Sequence, residues 1–228
     1  MAVSRRVNSN QSGLHPNLER VVTRHLLSSY QRRASSETLA IAADVRQRLE
    51  SYPGGLVLDS GCGVGESTYR LAVLYSNCLV IGVDKSSVRL AKFSSLNCVR
   101  SAQDNIQLIN SDAVDLWLAL KQYGIRVARH YLLYPNPWPK KKHLMRRWHA
   151  HAIFPTLIAL GGELTLRTNW KTYADEFACS LAIAGMCSSG VCKLTPSNQI
   201  SPFERKYHAS QHELFELRAS LPNLLVTS

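Results

Sequence analysis

Leu56 to Ala72 reads LVLDSGCGVGESTYRLA. An apolar run ends in Asp59, glycines stand at Gly61, Gly63 and Gly65, and a helical pattern carrying Leu71 and Ala72 follows. Strand, glycine loop and helix in this order form the nucleotide-binding entry of a doubly wound sheet. The glycines allow tight turning and close approach of a ligand to the backbone, and the helix start offers free N–H groups. On its own such a loop reads equally well as a structural turn.

The next two strands add to the signal. Leu79 to Val83 is a fully apolar LVIGV run ending at Asp84, and Ile106 to Ile109 is a shorter one followed by Asn110, Ser111 and Asp112. An acid at the second strand end can grip a ribose diol, because a carboxylate accepts two hydrogen bonds. An acid at the third suits an adenine amino group. Asp84 or Asp112 taken singly also reads as a helix cap. The fold class is therefore α/β, a Rossmann-like doubly wound and mostly parallel sheet. The spacing G-x-G-x-G differs from the dinucleotide pattern G-x-G-x-x-G, and Glu66 at the helix start would repel a pyrophosphate. Both features favour a nucleoside-like ligand without phosphates, which points to S-adenosylmethionine.

At 228 residues, 45% hydrophobic and 19% charged, the chain is long enough for one domain with a full core. A formal charge of +11 and a pI near 9.6 point to an anionic partner. No apolar run reaches the 18 or so residues of a membrane span. The six cysteines contain no C-x-x-C pair, which fits a reduced, cytoplasmic chain. Residues 1–36 read as a basic arm and 37–228 as the main domain. An Arg- and Ser-rich start is also compatible with a transit peptide. Against that, His15-Pro16-Asn17 and LERVVTRHLLSSY predict a turn, an Asn cap and an amphipathic helix with Leu18, Val21, Val22 and Leu26 on one face. Such an arm suits a phosphate backbone or the domain edge. Ser36 to Leu49 predicts a packing helix with Ser36 as its cap.

Tyr131 to Trp148, YLLYPNPWPKKKHLMRRW, is the second informative stretch. Pro135, Pro137 and Pro139 forbid helix and ladder alike, so the backbone turns at a strand end, with Asn136 and Trp138 in extended, displayed conformations. Lys140, Lys141, Lys142, His143, Arg146 and Arg147 follow with no acid among them. A run of this kind reads as a solvated face or as a contact for phosphates. Trp138 and Trp148 read as packing anchors or as stacking platforms for bases. Further on, Ala152 to Leu160 predicts a helix, Glu163 to Arg167 a half-buried strand ending at Asn169 and Trp170, Tyr173 to Ala184 a helix, and the rest loop until Phe203. His149 and His151 have no Cys or Asp to complete a metal site.

LDSGCGVGES, GVD, NSDA, YPNPWPKKKHLMRR, LTLRTNW and SPFERK together resemble the tRNA guanine-N7 methyltransferase family of the class I S-adenosylmethionine-dependent fold. The resemblance runs from about Asn17 to Lys206. It implies cofactor contacts at Asp59, the glycine loop, Asp84, Asp112 and Asn136, and tRNA contacts from Lys140, Lys141, Arg146, Arg147 and Asn169. It also implies that Ser201 and Glu204 approach the cofactor's methionine end or the target base, with Asn136 and Glu204 as the catalytic pair. The implied partner is tRNA, with no membrane, and the protein a monomer or homodimer. The family's turn and its later T-D-W segment carry Asp where this chain has Asn136 and Asn169. Asn-Pro-Trp also resembles the turn of amino-group methyltransferases, which leaves an exocyclic amine, or a non-catalytic tRNA-binding relative, as alternatives.

Overall fold

Runs without polar interruption give the central strands, because a parallel strand covered on both faces buries every side chain. β1 (Leu56–Ser60) and β2 (Leu79–Asp84) are buried at every residue. β3 (Ile106–Asn110), β4 (Val127–Leu133) and β5 (Gly162–Thr168) complete the parallel part, and β6 (Cys192–Leu194) and β7 (Leu214–Leu221) lie antiparallel beyond it. The sheet order is β3-β2-β1-β4-β5-β7-β6. It reverses between β1 and β4, and ligands of doubly wound folds bind in the crevice at that point, outside the carboxyl ends of the strands. The computed structural model describes residues 4–96, 103–195 and 199–222.

Eight α-helices are found among the described residues: α1 (Leu18–Leu26), α2 (Ser36–Leu49), α3 (Glu66–Leu74), α4 (Ser87–Leu90), α5 (Ala113–Gln122), α6 (Phe154–Leu160), α7 (Lys171–Ile183) and α8 (Pro202–Ala209). Leu18, Val21 and Val22 of α1 are buried, and the helix packs against α7 and α6. The Asn17 side chain makes no cap bond there. The cap of α2 is Ser35 rather than Ser36: its hydroxyl accepts from Thr38 N and donates to Asp115, which fixes the chain entry one residue earlier.

The C-terminal region holds more regular structure than its sequence suggested. Leu214, Phe215, Leu217, Ala219 and Leu221 are buried along β7. The double apolar start and the interleaved Glu216 and Arg218 mask its period-two pattern. The strand carries ion pairs, Glu216 with Arg167 of β5 and with Arg218. No described helix is long and apolar enough to cross a membrane.

Candidate active site

The glycine loop is shaped by two acids that it buries. Asp59, 1% exposed, accepts from Ser67 Oγ at 2.6 Å and Thr68 Oγ1 at 2.8 Å, which ties the end of β1 to the first turn of α3. Burial pushes its carboxyl up to about 6 against the opposing pull of these two hydroxyls. Asp59 does not line the cavity beyond the loop, so its place is that of a brace rather than of a ligand contact. Gly65, at φ +83°, is the residue before α3, and a Cβ there would strike Phe93 and Leu108. Glu66, expected to stand as a free charge at the helix start, is instead nearly buried and paired. Arg205 of α8 grips it through two nitrogens, one at 2.7 Å, and Arg70 joins at 3.1 Å.

Asp84 closes the loop from the second strand. Its Oδ2 accepts from Gly63 N at 3.0 Å, its Oδ1 accepts from Ser86 N at 2.8 Å, and Arg89 approaches at 2.9 Å. It nevertheless lines the cavity, as do Gly61 and Asp112, whereas Gly63 and Gly65 do not. Asp112 caps α5 through Val114 N at 2.9 Å, so the cap reading and the ligand-facing position hold together. The cavity has a volume of about 630 Å³ and opens past Tyr134, Asn136 and Trp138. Gly61, at φ +81°, presents open space where a side chain would stand. Room at the loop, together with carboxylates placed for a diol and for an amino group, fits an adenosyl ligand.

The proline turn departs from its expected backbone. Residues before proline disfavour the helical regions, yet Tyr134 has φ 53° and Trp138 has φ 45°. Left-handed conformations of this kind cost on the order of 1 to 3 kcal/mol each and persist only where surroundings over-determine them. Tyr134 N donates to Arg167 O at 2.7 Å, and Trp138 is held through its carbonyl by Arg147. Asn136 is exposed at the mouth, its Oδ1 making only a long 3.4 Å contact with Trp138 N.

Arg147 does not fit the expected contact with tRNA, because it is fully buried. Its guanidinium donates to Glu176, to Gln11 Oε1 and to Trp138 O, and lies 4.9 Å over the Trp170 ring. Burial would push the Glu176 carboxyl up, but the His149 bond and charge and the Arg147 guanidinium outweigh it and hold it at about 2. His149 is thus a buried donor to Glu176 at 3.0 Å. Among the described residues no group of three or more His, Cys, Asp or Glu suits a metal.

Lys140 and Lys141 are exposed beside the mouth, and Arg146 stacks 4.6 Å over Trp138 and lines the cavity. Trp148 lines the cavity too, but packs at 4.8 Å on the Trp117 ring of the core.

Ser201 and Glu204 stand differently from expectation. Ser201 is buried and caps α8 through Phe203 N at 3.2 Å. Glu204 is fully buried, paired with Arg167 at 2.8 Å, and accepts from Ile200 N at 2.9 Å; it does not line the cavity. A carboxylate neutralised by an adjacent guanidinium is a poor counter-charge for a reacting ring, so its place is to seat α8. That helix sends Phe203 and Tyr207 into the cavity instead. Asn169 pairs with His212 Nδ1 at 3.1 Å, away from the lining. Sequence reasoning missed Arg32, Lys85, Arg89, Phe203 and Tyr207 as lining residues. The Lys85 and Arg89 positions directly after the Asp84 strand end were the one available signal.

Sheet order, glycine loop and the acids at the strand ends together define a class I S-adenosylmethionine-dependent methyltransferase fold. Residues 54–217 match the family model described as "Putative methyltransferase", and the chain belongs to that family. It is 30% identical over 167 residues to a tRNA (guanine-N(7)-)-methyltransferase of Nocardioides sp., covering 71% of this chain and 66% of that one. It is 29% identical to the protein of the same name from Acidithiobacillus ferrooxidans, covering 71% and 74%. Among solved structures, a 16S rRNA (adenine(1408)-N(1))-methyltransferase variant from Catenulisporales acidiphilia superposes with a TM-score of 0.59 at 19% identity, over 81% of this chain and 94% of that one. The 16S rRNA methyltransferase KamB does so with 0.59 at 17%, over 83% and 95%.

Proposed function

We propose that the protein methylates guanine N7 in tRNA with S-adenosylmethionine as cofactor. The observation that carries the reading is one continuous cavity lined both by Asp84 and Asp112 and by the proline turn and Arg146. The names of the relatives agree with it. When bound, S-adenosylmethionine supplies an electrophilic methyl group on sulfonium. Asp84 would accept from the ribose hydroxyls and Asp112 from the adenine amino group. Guanine N7 has its own lone pair, so the chain's task is alignment rather than proton removal. Tyr134, Trp138 and Tyr207 form apolar walls that limit water around the acceptor. Nucleoside mass spectrometry of tRNA incubated with the protein and labelled cofactor tests the reading: label in 7-methylguanosine supports it, and none overturns it.

Asn136 is the one observation that favours a second reading, an exocyclic amine as acceptor, because an amide replaces the family's carboxylate at the mouth. For guanine N7, Asn136→Asp is expected to keep or raise kcat, since a full charge opposes the developing cation better than an amide dipole. Loss of transfer in that variant would make the amide itself required, as a hydrogen-bond donor or as the partner of an exocyclic amine, and would take the amino-group reading in place of guanine N7.

The basic run gives a further expectation. Replacing Lys140, Lys141 and Lys142 together by alanine should weaken tRNA binding and flatten its salt dependence, by a slope of about 0.9 for each phosphate that is no longer neutralised. Cofactor affinity should not change. A binding titration at several salt concentrations decides it, and an unaltered slope places the phosphates elsewhere.

A further inference from the structure

Residues Ser4 to His15 cross the molecule as a strap. At one end Ser4 N donates to Ser210 Oγ at 3.0 Å and Ser4 O receives a 3.0 Å contact from His212 Nε2, just beyond α8. In the middle Ser9 Oγ donates to Pro139 O at 2.6 Å, on the proline turn. At the other end Gln11, 7% exposed, sends its Nε2 to Glu176 Oε1 at 2.6 Å and receives both terminal nitrogens of Arg147 on Oε1 at 3.1 Å. His15 N adds a bond to the same Glu176 oxygen at 2.9 Å. Two cavity walls are therefore joined by one segment, α8 with Phe203 and Tyr207 on one side and the turn with Trp138 on the other.

The turn depends on that segment because of how Arg147 is held. Arg147 Nε and Nη2 donate to Trp138 O at 3.2 and 3.1 Å, and Trp138 is one of the two left-handed pre-proline residues. A guanidinium has five donors in a fixed plane, so its aim is set by every acceptor around it. Gln11 is the acceptor that comes from outside the domain's own elements. Remove it, and Arg147 loses the buried acceptor shared by its Nη1 and Nη2, beside Glu176, while Trp138 keeps its strained backbone with a less defined clamp.

We infer that Gln11 is a positioning residue: through Arg147 it fixes the Trp138 turn, and with it the acceptor side of the active site, while leaving the cofactor side alone. The catalytic consequence rests on the methyl-transfer reading above; the clamp itself does not. Asp84, Asp112 and the glycine loop make no bond to the strap, so the two sides separate by experiment.

Gln11→Ala and the milder Ser9→Ala are made in the full chain, and amide hydrogen exchange is followed across residues 134–147. Faster exchange there is expected in both, larger for Gln11→Ala, with exchange of the glycine loop unchanged. In methyl transfer to tRNA, kcat is expected to fall about 10- to 100-fold in Gln11→Ala, the scale of a misplacement near 1 Å, with calorimetric cofactor affinity as in wild type. Unaltered exchange of the turn overturns the clamp. Faster exchange with unaltered kcat overturns the positioning role, and a matching loss of cofactor affinity reduces Gln11 to a general fold contact. Should Gln11→Ala fail to fold, Ser9→Ala carries the same comparison, because it removes the bonds to Pro139 O and from Gln11 N without stranding a buried charge. If wild type transfers no methyl to tRNA, the functional reading fails, while the exchange comparison still decides the clamp.

Discussion

Replacing Asp84 by alanine is expected to weaken S-adenosylmethionine binding by several kilocalories per mole, more than any other single change at the cofactor end. Two contributions add. A ribose diol loses its charged acceptor, at about 1.5 to 3 kcal/mol for each bond to a charged group. The glycine loop also loses its tie, because Gly63 N and Ser86 N both donate to this carboxylate. Asp84→Asn keeps an acceptor oxygen while losing the charge and the full Arg89 pairing, and should fall between alanine and wild type. Calorimetric titration of the three proteins gives the order directly. Equal affinity in all three would mean that Asp84 serves the loop alone and that the ribose is held elsewhere.

The largest expected loss of stability lies at Arg147. Arg147→Met leaves Glu176 ionised and fully buried with only His149, Gln11 and a backbone N–H around it. Breaking one side of a buried pair costs about 3 to 5 kcal/mol. For a domain of this size that lowers the melting temperature by about 2 to 4 °C per kcal/mol. Glu176→Gln is costly as well: Oε1 accepts from Gln11 and His15 N and Oε2 from Arg147 and His149, so an amide NH2 at either place faces two donors. The double variant Arg147→Met, Glu176→Leu should recover part of the loss, since replacing a buried pair by apolar groups is often neutral. Thermal melts of wild type, Arg147→Met, Glu176→Leu and the double variant close this cycle. Strict additivity would show that the two charges do not stabilise one another.

The parallel half of the fold was legible because its signals are local: apolar runs meeting Asp59, Asp84 and Asp112 give strand ends without knowledge of neighbours. The same locality misled where partners decide. Arg146 and Arg147 are adjacent in a run that composition treats alike, yet one lies over Trp138 at the cavity and the other is sealed against Glu176, which is far along the chain. The partners of Glu204 and Ser201 were hidden for the same cause: the motif names them, but the ion pair with Arg167 and the capping of α8 are set by distant residues and by the helix start. Trp138 shows the converse, a proline rule overridden by tertiary bonds. Gln11 carried no sequence signal, because a glutamine in a basic arm has meaning only once Arg147 and Glu176 face it.

The bonds between Ser4 and the Ser210–His212 segment connect residues more than 200 positions apart. Synthesis from the N-terminus makes the strap and the proline turn before α7 and before the residues after α8. Arg147 then has no Glu176, and Ser4 has nothing to rest on. The wall of the site that carries the proline turn is in this sense finished late, and the helix after the glycine loop likewise waits for Arg205 of α8 to pair with Glu66. Contacts of such separation are slow to form because loop closure precedes their reward. Shortening the chain before Glu176 or before Ser210 removes the partners on which Arg147 and Ser4 rest.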